Sequence, residues 1–122
     1  MFQLDYRSGI SICDQIVNGI MRLKTLGVLK NNEQLPSVRS LASKLSVNPN
    51  TVQKAYMILE ERGITYSVKG KGSFIAGNSS VDDAIKLSQR KKFRDAVKEA
   101  FEFGFLPEEL NEIIISVKEE QK

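Results

Sequence analysis

The sequence contains no histidine and only one cysteine, Cys13, among its 122 residues. Without histidine the chain lacks the commonest general base and a favoured metal ligand. A single cysteine cannot form an intrachain disulfide or a cysteine-cluster zinc site, so we expect Cys13 to fill a small space in a core or interface. The two adjacent acidic pairs, 82–83 and 108–109, suit helix starts better than acid/base catalysis. These features argue against an enzyme and against a metal or cofactor site.

Long apolar runs are also missing, because no stretch approaches the roughly 18 residues that would suggest a membrane span. The first residues, MFQLDYRSG, do not have the basic-then-apolar layout of a secretion signal. We therefore expect a cytoplasmic protein with no membrane partner. The chain length suits one domain, or one compact domain with a helical appendage, and is too short for a large enzyme with a separate substrate domain.

The net charge of +3 is distributed unevenly along the chain. Residues 1–77 contain ten basic and five acidic residues, whereas residues 78–122 contain eight basic and ten acidic residues. A polyanion is the natural partner for the basic half, since binding to phosphates releases condensed counterions. An ordinary solvated surface is the alternative, and charge alone does not decide between the two.

The first 34 residues predict structural elements. Residues 1–8 alternate three apolar side chains, Phe2, Leu4 and Tyr6, with polar ones, which predicts a short extended arm over a core. A helical spacing of apolar residues then runs from Ser11 to about Leu26, and Gly27 is a plausible C-terminal cap. Residues 30–34 are predicted to form a polar loop.

Two further helices are predicted on either side of a tight polar turn. Ser37 can cap a helix over residues 38–45, and Asn48 followed by Pro49 is a typical start for the next, which Gly63 ends. The inner stripe of that second helix is formed by Val52, Ala55, Tyr56 and Leu59. Its outward residues are Asn50, Thr51, Gln53 and Lys54.

A hairpin with a cationic tip is predicted next. Residues 64–68 alternate in polarity, with Ile64, Tyr66 and Val68 on the expected buried face, and residues 73–76 return. Lys69 to Gly72 form the turn between them. Two crossing helices followed by such a hairpin predict a winged helix-turn-helix, in a fold that is mainly α with a small β-hairpin (α+β).

The remaining residues predict a two-helix tail. The small residues 77–80 form a linker, so we divide the chain into a winged helix-turn-helix domain, 1–77, and a dimerisation region, 78–122. One long helix opens at Asp82 and ends near Gly104, and a second begins at Pro107. Together they expose many apolar groups, which favours a homodimer through the C-terminal helices. Packing of the tail back on the first domain is the alternative.

The motif in residues 35–76, LPSVRSLASKLSVNPNTVQKAYMILEERGITYSVKGKGSFIA, resembles the DNA-binding domain of GntR-family bacterial transcription regulators. The tail, ending FEFGFLPEELNEIIISVKEE, is similar to the small YtrA-like subfamily, which has a dimerisation appendage instead of a large effector domain. The resemblance implies a homodimeric repressor that binds double-stranded DNA at an inverted repeat. The alternative is a sensor whose tail or interdomain groove binds an unknown small-molecule effector, although a tail of this length offers little room for a pocket.

The resemblance also implies which residues contact DNA. In the two helices and the turn they are Ser37, Arg39, Asn48, Asn50, Thr51 and Gln53, to which we add the outward residue Lys54. In the wing they are Lys69, Gly70, Lys71 and Gly72. Ser37 and Asn48 could instead be helix caps and nothing more. Some relatives have arginines where this chain has Pro49 and Gln53, so their operator preference does not transfer.

Overall fold

The computed structural model describes residues 2–77 and 79–121. Residue 78, in the middle of the predicted linker 77–80, therefore lies outside the described residues. The described residues form helices α1 (Ile12–Thr25), α2 (Val38–Leu45), α3 (Pro49–Glu61), α4 (Ser79–Glu102) and α5 (Pro107–Glu120), and strands β1 (Thr65–Val68) and β2 (Gly72–Ile75). The predicted mainly α fold with a small hairpin is confirmed.

The first three helices begin at the residues that local capping signals predict. The Ser11 side chain accepts a hydrogen bond from the Asp14 amide at 3.1 Å. Ser37 and Asn48 cap α2 and α3 in the same way. Each cap satisfies one of the amides that the first turn of a helix leaves without an intrahelical partner, which explains why the predicted starts are accurate.

The core lies between α1, α2, α3 and the base of the hairpin. Its largest fully buried side chains are Ile16, Val17, Ile20, Leu41, Val52, Leu59, Ile64 and Ile75. Cys13 belongs to this cluster, as predicted, and burial raises the pKa of its thiol. Because the thiolate is the reactive form, Cys13 is a packing residue with low nucleophilicity.

The hairpin is antiparallel, with Thr65 opposite Ile75 and Val68 opposite Gly72. Its predicted burial pattern is wrong: Thr65 is 4% exposed, whereas Tyr66 and Val68 are each 37% exposed. Ile64 and Thr65 are both buried in the core, and the strand then extends away from it. Beyond this point neither face of the strand is covered, so alternating polarity does not correspond to alternating burial. The Tyr66 ring stacks instead on Phe74 across the hairpin, with ring centroids 5.6 Å apart.

The segment predicted as a polar loop pairs through its backbone with β2 of the hairpin. The Leu35 amide donates to the Ser73 carbonyl at 2.8 Å, and the Ile75 amide donates to the Glu33 carbonyl at 2.8 Å. Gln34 thereby forms an antiparallel bridge with Phe74. This pairing covers one edge of β2 with the chain that leads into α2.

The N-terminal arm packs on the core through Phe2 and Leu4, as predicted. Tyr6, however, is exposed, because the arm turns before reaching it. The Gln15 side chain holds this turn: its Oε1 accepts from the Asp5 amide and its Nε2 donates to the Asp5 carbonyl, each at 2.7 Å. The prediction of an extended arm is therefore right for its first residues only.

The chain divides into two compact units, with the division between Ile85 and Lys86, inside α4. The first two turns of α4 belong to the first unit because Val81 and Ile85 pack against its core. The Lys24 ammonium, on a side chain that is 1% exposed, forms an ion pair with the Asp82 carboxylate at 2.6 Å.

The second unit consists of the rest of α4 and all of α5. Gly104 has a φ of +88°, a left-handed conformation that ends the first helix, and Pro107 begins the second. No described residue of α5 is buried, and the apolar side chains Phe93, Phe101, Ile113 and Ile114 are exposed. An apolar groove of ≈ 340 Å³ lies between α4 and α5. Among the described residues, no helix is both long and apolar enough to cross a membrane.

Candidate nucleic-acid interface

Helix α3 has one buried side and one polar side at its start. Val52, Ala55, Tyr56 and Leu59 are buried, as the predicted inner stripe requires. Asn50, Gln53 and Lys54 are exposed, and Thr51 is half-buried. Within the described ranges, neither the Gln53 nor the Lys54 side chain forms a hydrogen bond or an ion pair. These groups are positioned to meet a partner along the first turns of the helix.

The start of α2 lies beside α3 because a buried tyrosine joins the two. The Tyr56 hydroxyl donates to the Pro36 carbonyl at 2.7 Å, one residue before the Ser37 cap. Burial raises the pKa of Tyr56 to about 12, so the hydroxyl stays protonated and remains a donor at physiological pH. Arg39, in the first turn of α2, is exposed.

Two predicted contact residues have cap functions in the structure. The Ser37 hydroxyl accepts from the Ser40 amide at 3.1 Å, and Asn48 Oδ1 accepts from the Asn50 amide at 2.8 Å. Both side chains are exposed, so the Asn48 amide nitrogen and the Ser37 hydroxyl hydrogen can still be donated outward. Capping and recognition are therefore compatible at these positions.

The tip of the hairpin presents Lys69 and Lys71 to solvent. Its turn is closed by a hydrogen bond of 2.9 Å from the Lys71 amide to the Val68 carbonyl. Gly72 has a φ of +121°, and a Cβ there would lie 3.2 Å from Gln34 Nε2, so glycine suits the position on two grounds. The structure thus places the four predicted wing residues together at an exposed, cationic end of the hairpin.

Gln34 was not among the predicted site residues. Its Nε2 donates to the Lys71 carbonyl at 2.7 Å and so ties the hairpin tip to the segment before α2. A second tie joins the Tyr66 hydroxyl to Asn32 Oδ1 at 2.9 Å. Both ties cross more than thirty residues of chain, so no local sequence signal could have identified them.

The exposed side chains of this surface are polar or cationic. Within residues 2–77 and 79–121, no three cysteine, aspartate or glutamate side chains cluster in a way that could hold a metal ion. The exposed groups are amides, hydroxyls and cations. Such groups bind phosphates and the hydrogen-bonding edges of bases.

Comparison with known proteins identifies the fold and the family. A family model described as bacterial regulatory proteins, gntR family, matches residues 12–75, which is more than half of the chain. The chain is 36% identical to the HTH-type transcriptional repressor YtrA of Bacillus subtilis, over 97% of this chain and 95% of that protein.

Solved structures give the same result. A GntR family transcriptional regulator from Listeria monocytogenes has a TM-score of 0.77 at 32% identity, covering 93% of this chain and 98% of that one. AraR(DBD) in complex with operator ORE1 has a TM-score of 0.54 at 27% identity, covering 62% of this chain and 95% of that one. The chain belongs to the gntR family of bacterial regulatory proteins, in the group similar to YtrA, and is a DNA-binding transcription regulator and not an enzyme.

Proposed function

We propose that this protein is a homodimeric repressor that binds an inverted-repeat operator through α3 and the hairpin tip. The observation that carries the proposal is the exposed polar start of α3, whose opposite side is buried in the core. A helix held in this way can enter the major groove with its first turns leading. Support comes from the similar YtrA, which is named a repressor, and from AraR(DBD), which was solved with an operator.

We assign different roles to different parts of this surface. Asn50 and Gln53 are the candidate base readers, since a carboxamide can bond adenine through two hydrogen bonds, and Arg39 can do the same for guanine. Thr51, Lys54, Ser37 and Asn48 suit phosphates at the ends of α2 and α3. In the wing, the cations of Lys69 and Lys71 meet the DNA backbone, and Gly70 and Gly72 allow the turn to approach closely.

The dimer is proposed to form through the C-terminal helices, which keeps the functional division between residues 1–77 and 78–122. The exposed apolar groups that line the groove of ≈ 340 Å³ support this, because a monomer would leave them in water. A two-fold dimer presents two copies of α3 and so requires two half-sites in inverted orientation, about one helical turn apart or a multiple of it. Its place of action would be the cytoplasm, where bacterial DNA lies.

Selection of bound sequences from a random DNA pool tests the function and its residues together. For the wild type we expect an inverted repeat. Gln53→Ala should cost roughly 1 to 3 kcal/mol and change base preference at one position in each half-site, whereas Lys71→Ala should weaken all sequences alike and flatten the salt dependence. Glu60→Ala, at the far end of the same helix, is the matched control and should change neither.

Two results would contradict these assignments. An unaltered base profile for Gln53→Ala would remove it from the base readers. A single unsymmetrical half-site at saturating protein would contradict the two-fold dimer on DNA.

A second candidate function is favoured by the size of the groove in the tail. Its volume of ≈ 340 Å³ is larger than the short tail led us to expect and falls within the range of small-molecule sites, about 300 to 1,000 Å³. An apolar effector bound there would compete with the dimer contact and release DNA. Melting temperatures measured with apolar metabolites, with and without operator, test this: a ligand that raises the melting temperature and lowers operator affinity would support the sensor.

A further inference from the structure

The second compact unit has opposite charges in its two halves. Residues 86–98 contain six basic residues and one acidic residue, a net charge of +5. Residues 99–121 contain seven acidic residues and one basic residue, a net charge of −6. The exposed apolar surface of the tail is therefore bordered by cations on one helix and by carboxylates on the other.

The cations of α4 form a stripe beside an apolar stripe. Arg90, Arg94 and Lys98 recur every four residues, so they share one side of the helix. Phe93, Val97 and Phe101 recur with the same spacing next to them. These six residues line an open groove of ≈ 580 Å³, and all of them belong to α4.

This groove shares Phe93, Val97 and Phe101 with the groove that the chain's own α5 helps to form, and the two grooves differ in what lies beyond that apolar stripe. The groove of ≈ 340 Å³ has α5 on one wall and the Ala96 and Ala100 side of α4 on the other. The cationic side carries no lining residue from α5. Within the described residues, no carboxylate lies within 4.0 Å of the charged groups of Arg90, Arg94 or Lys98. Like charges four residues apart on a helix repel each other, so an opposite charge brought from outside would stabilise this stripe.

Helix α5 carries the matching stripe. Glu109, Glu112 and Glu120 lie along the side of α5 next to Ile113, by the helical repeat of 3.6 residues, and all are exposed. Glu109 already accepts a hydrogen bond from the Leu106 amide at 3.0 Å. Glu112 and Glu120 are eight residues apart, as are Arg90 and Lys98, so each stripe is about 12 Å long.

We propose that α5 of a second copy lies in the cationic groove of α4, with the partner's acidic stripe against Arg90, Arg94 and Lys98. The proposal rests on the dimer proposed above and specifies how its two subunits recognise each other. In a two-fold dimer the contact occurs twice, so four charged stripes are paired. Ion pairs at the rim of an apolar contact contribute more to partner choice and orientation than to affinity, and they weaken as salt rises.

Complementary charge reversal tests this contact. The first variant carries Arg90→Glu, Arg94→Glu and Lys98→Glu, and the second carries Glu112→Lys and Glu120→Lys, which spares the capping residue Glu109. Each variant alone places like charges together, and we expect its dimer dissociation constant at low salt to rise on the order of 10-fold or more. When the two are mixed, both contacts of the mixed dimer are again complementary, so native mass spectrometry should show heterodimers in large excess over either homodimer.

The design separates contacts between chains from contacts within one chain. If the stripes paired within a chain, combining all five substitutions in one chain would restore dimerisation but mixing the two variants would not, and the proposal would be wrong. Helix content measured by circular dichroism checks that each variant folds. Lys92→Glu, an exposed cation of α4 that does not line the groove, is the matched control for Arg94→Glu and should leave the dimer unchanged.

Three further outcomes would also overturn the proposal in distinguishable ways. If both variants dimerise as the wild type does and exchange subunits without preference, the stripes do not meet, although the dimer itself stands. If sedimentation shows that the wild type is monomeric at every concentration, the proposed dimer is wrong, and the proposed contact is wrong with it. Loss of operator affinity in the first variant with its dimer intact would assign the cations to DNA phosphates instead.

Discussion

The two compact units use apolar side chains in opposite ways. In the first unit the apolar residues of α1, α2 and α3 are buried together, with Lys24 and Thr65 as the buried polar residues among them. In the second unit α5 has no buried residue in the described structure, and Ile113, Ile114 and Val117 are all exposed. Burial stabilises by about 25 cal/mol for each Å² of apolar surface, so the first unit gains this from its own fold and the second gains little until a partner covers it.

In the proposed dimer, this difference separates the folding of each chain from the association of two chains. Substitutions in the first unit should change the free energy of unfolding or the DNA surface that the fold holds in place. Substitutions in the second unit should change how two chains associate, and operator affinity through that association. Each of the following changes tests one side of this division.

The largest effect is expected from Ile114→Asp, which places a carboxylate in the apolar groove of the tail. The dimer should dissociate at micromolar protein, and operator affinity should fall roughly 100-fold because the second half-site is no longer held at a high effective concentration. Sedimentation and fluorescence anisotropy measure the two effects. Ile115→Asp is the control, since the neighbouring Ile115 is exposed but does not line the groove. Equal effects of the two substitutions would contradict the groove as the contact.

Sequence patterns predicted the elements well because their signals are local. Caps at Ser37 and Asn48 and the proline at position 49 start helices wherever the rest of the chain lies. The exposed polar face of α3 followed from the same periodicity. Burial in the hairpin was predicted wrongly at Tyr66 and Val68, because alternation shows which residues share a face but not where the core ends.

Long-range contacts could not be predicted from local sequence patterns. Lys24, in the last turn of α1, pairs with Asp82, which lies 58 residues away and was predicted only to open a helix. Gln34 likewise donates its hydrogen bond to the carbonyl of the distant residue Lys71. The tail was predicted to expose many apolar groups, but its charges were counted only as a net value, so the cationic stripe of α4 and the acidic stripe of α5 were not predicted.

The Lys24–Asp82 pair tests how the first unit holds the start of α4. Asp82→Ala leaves a buried ammonium without its partner, and we expect a loss of about 2 kcal/mol in unfolding free energy; this is below the full cost of breaking a buried pair because Asp82 is 36% exposed. Lys24→Met removes the buried charge itself and should cost less than about 1 kcal/mol. Urea unfolding of both variants gives the comparison. A larger loss for Lys24→Met would mean that the ammonium contributes more than its pair with Asp82, because methionine retains most of the packing of the lysine stem.

Tyr56→Phe tests the link between α3 and the start of α2. Loss of the hydrogen bond to the Pro36 carbonyl should cost about 1 kcal/mol at pH 7. The pKa of Tyr56 is raised to about 12 in the folded state, so the unfolded tyrosine ionises first and the tyrosine's contribution falls as pH rises from 10 towards 12. The stability difference between wild type and variant should therefore shrink over that range in urea unfolding. Tyr6→Phe, which removes a hydroxyl at an exposed position, is the control and should leave the stability at pH 7 unchanged.

Gln34→Ala should have the smallest effect, and it tests whether the fold of the first unit orders the wing. The hydrogen bond from Gln34 to the Lys71 carbonyl is exposed, so its loss should cost less than about 1 kcal/mol of stability. Operator affinity should fall by about 3-fold, because a looser hairpin tip must be ordered when it binds. Anisotropy titrations measure the affinity, and a thermal melt measures the stability.

A double-mutant cycle with Lys71→Ala then decides how Gln34 acts. If Gln34 acts by holding the tip in place, its removal already lowers the contribution of the Lys71 cation to operator binding. The loss of binding free energy in the double variant should then be smaller than the sum of the losses in the two single variants. Losses that add fully would mean that Gln34 affects binding by another route, such as a contact of its own with DNA. In that case the wing would be ordered by its two glycines, the β1–β2 register and the hydrogen bond from Tyr66 to Asn32, without a contribution from the Gln34 side chain.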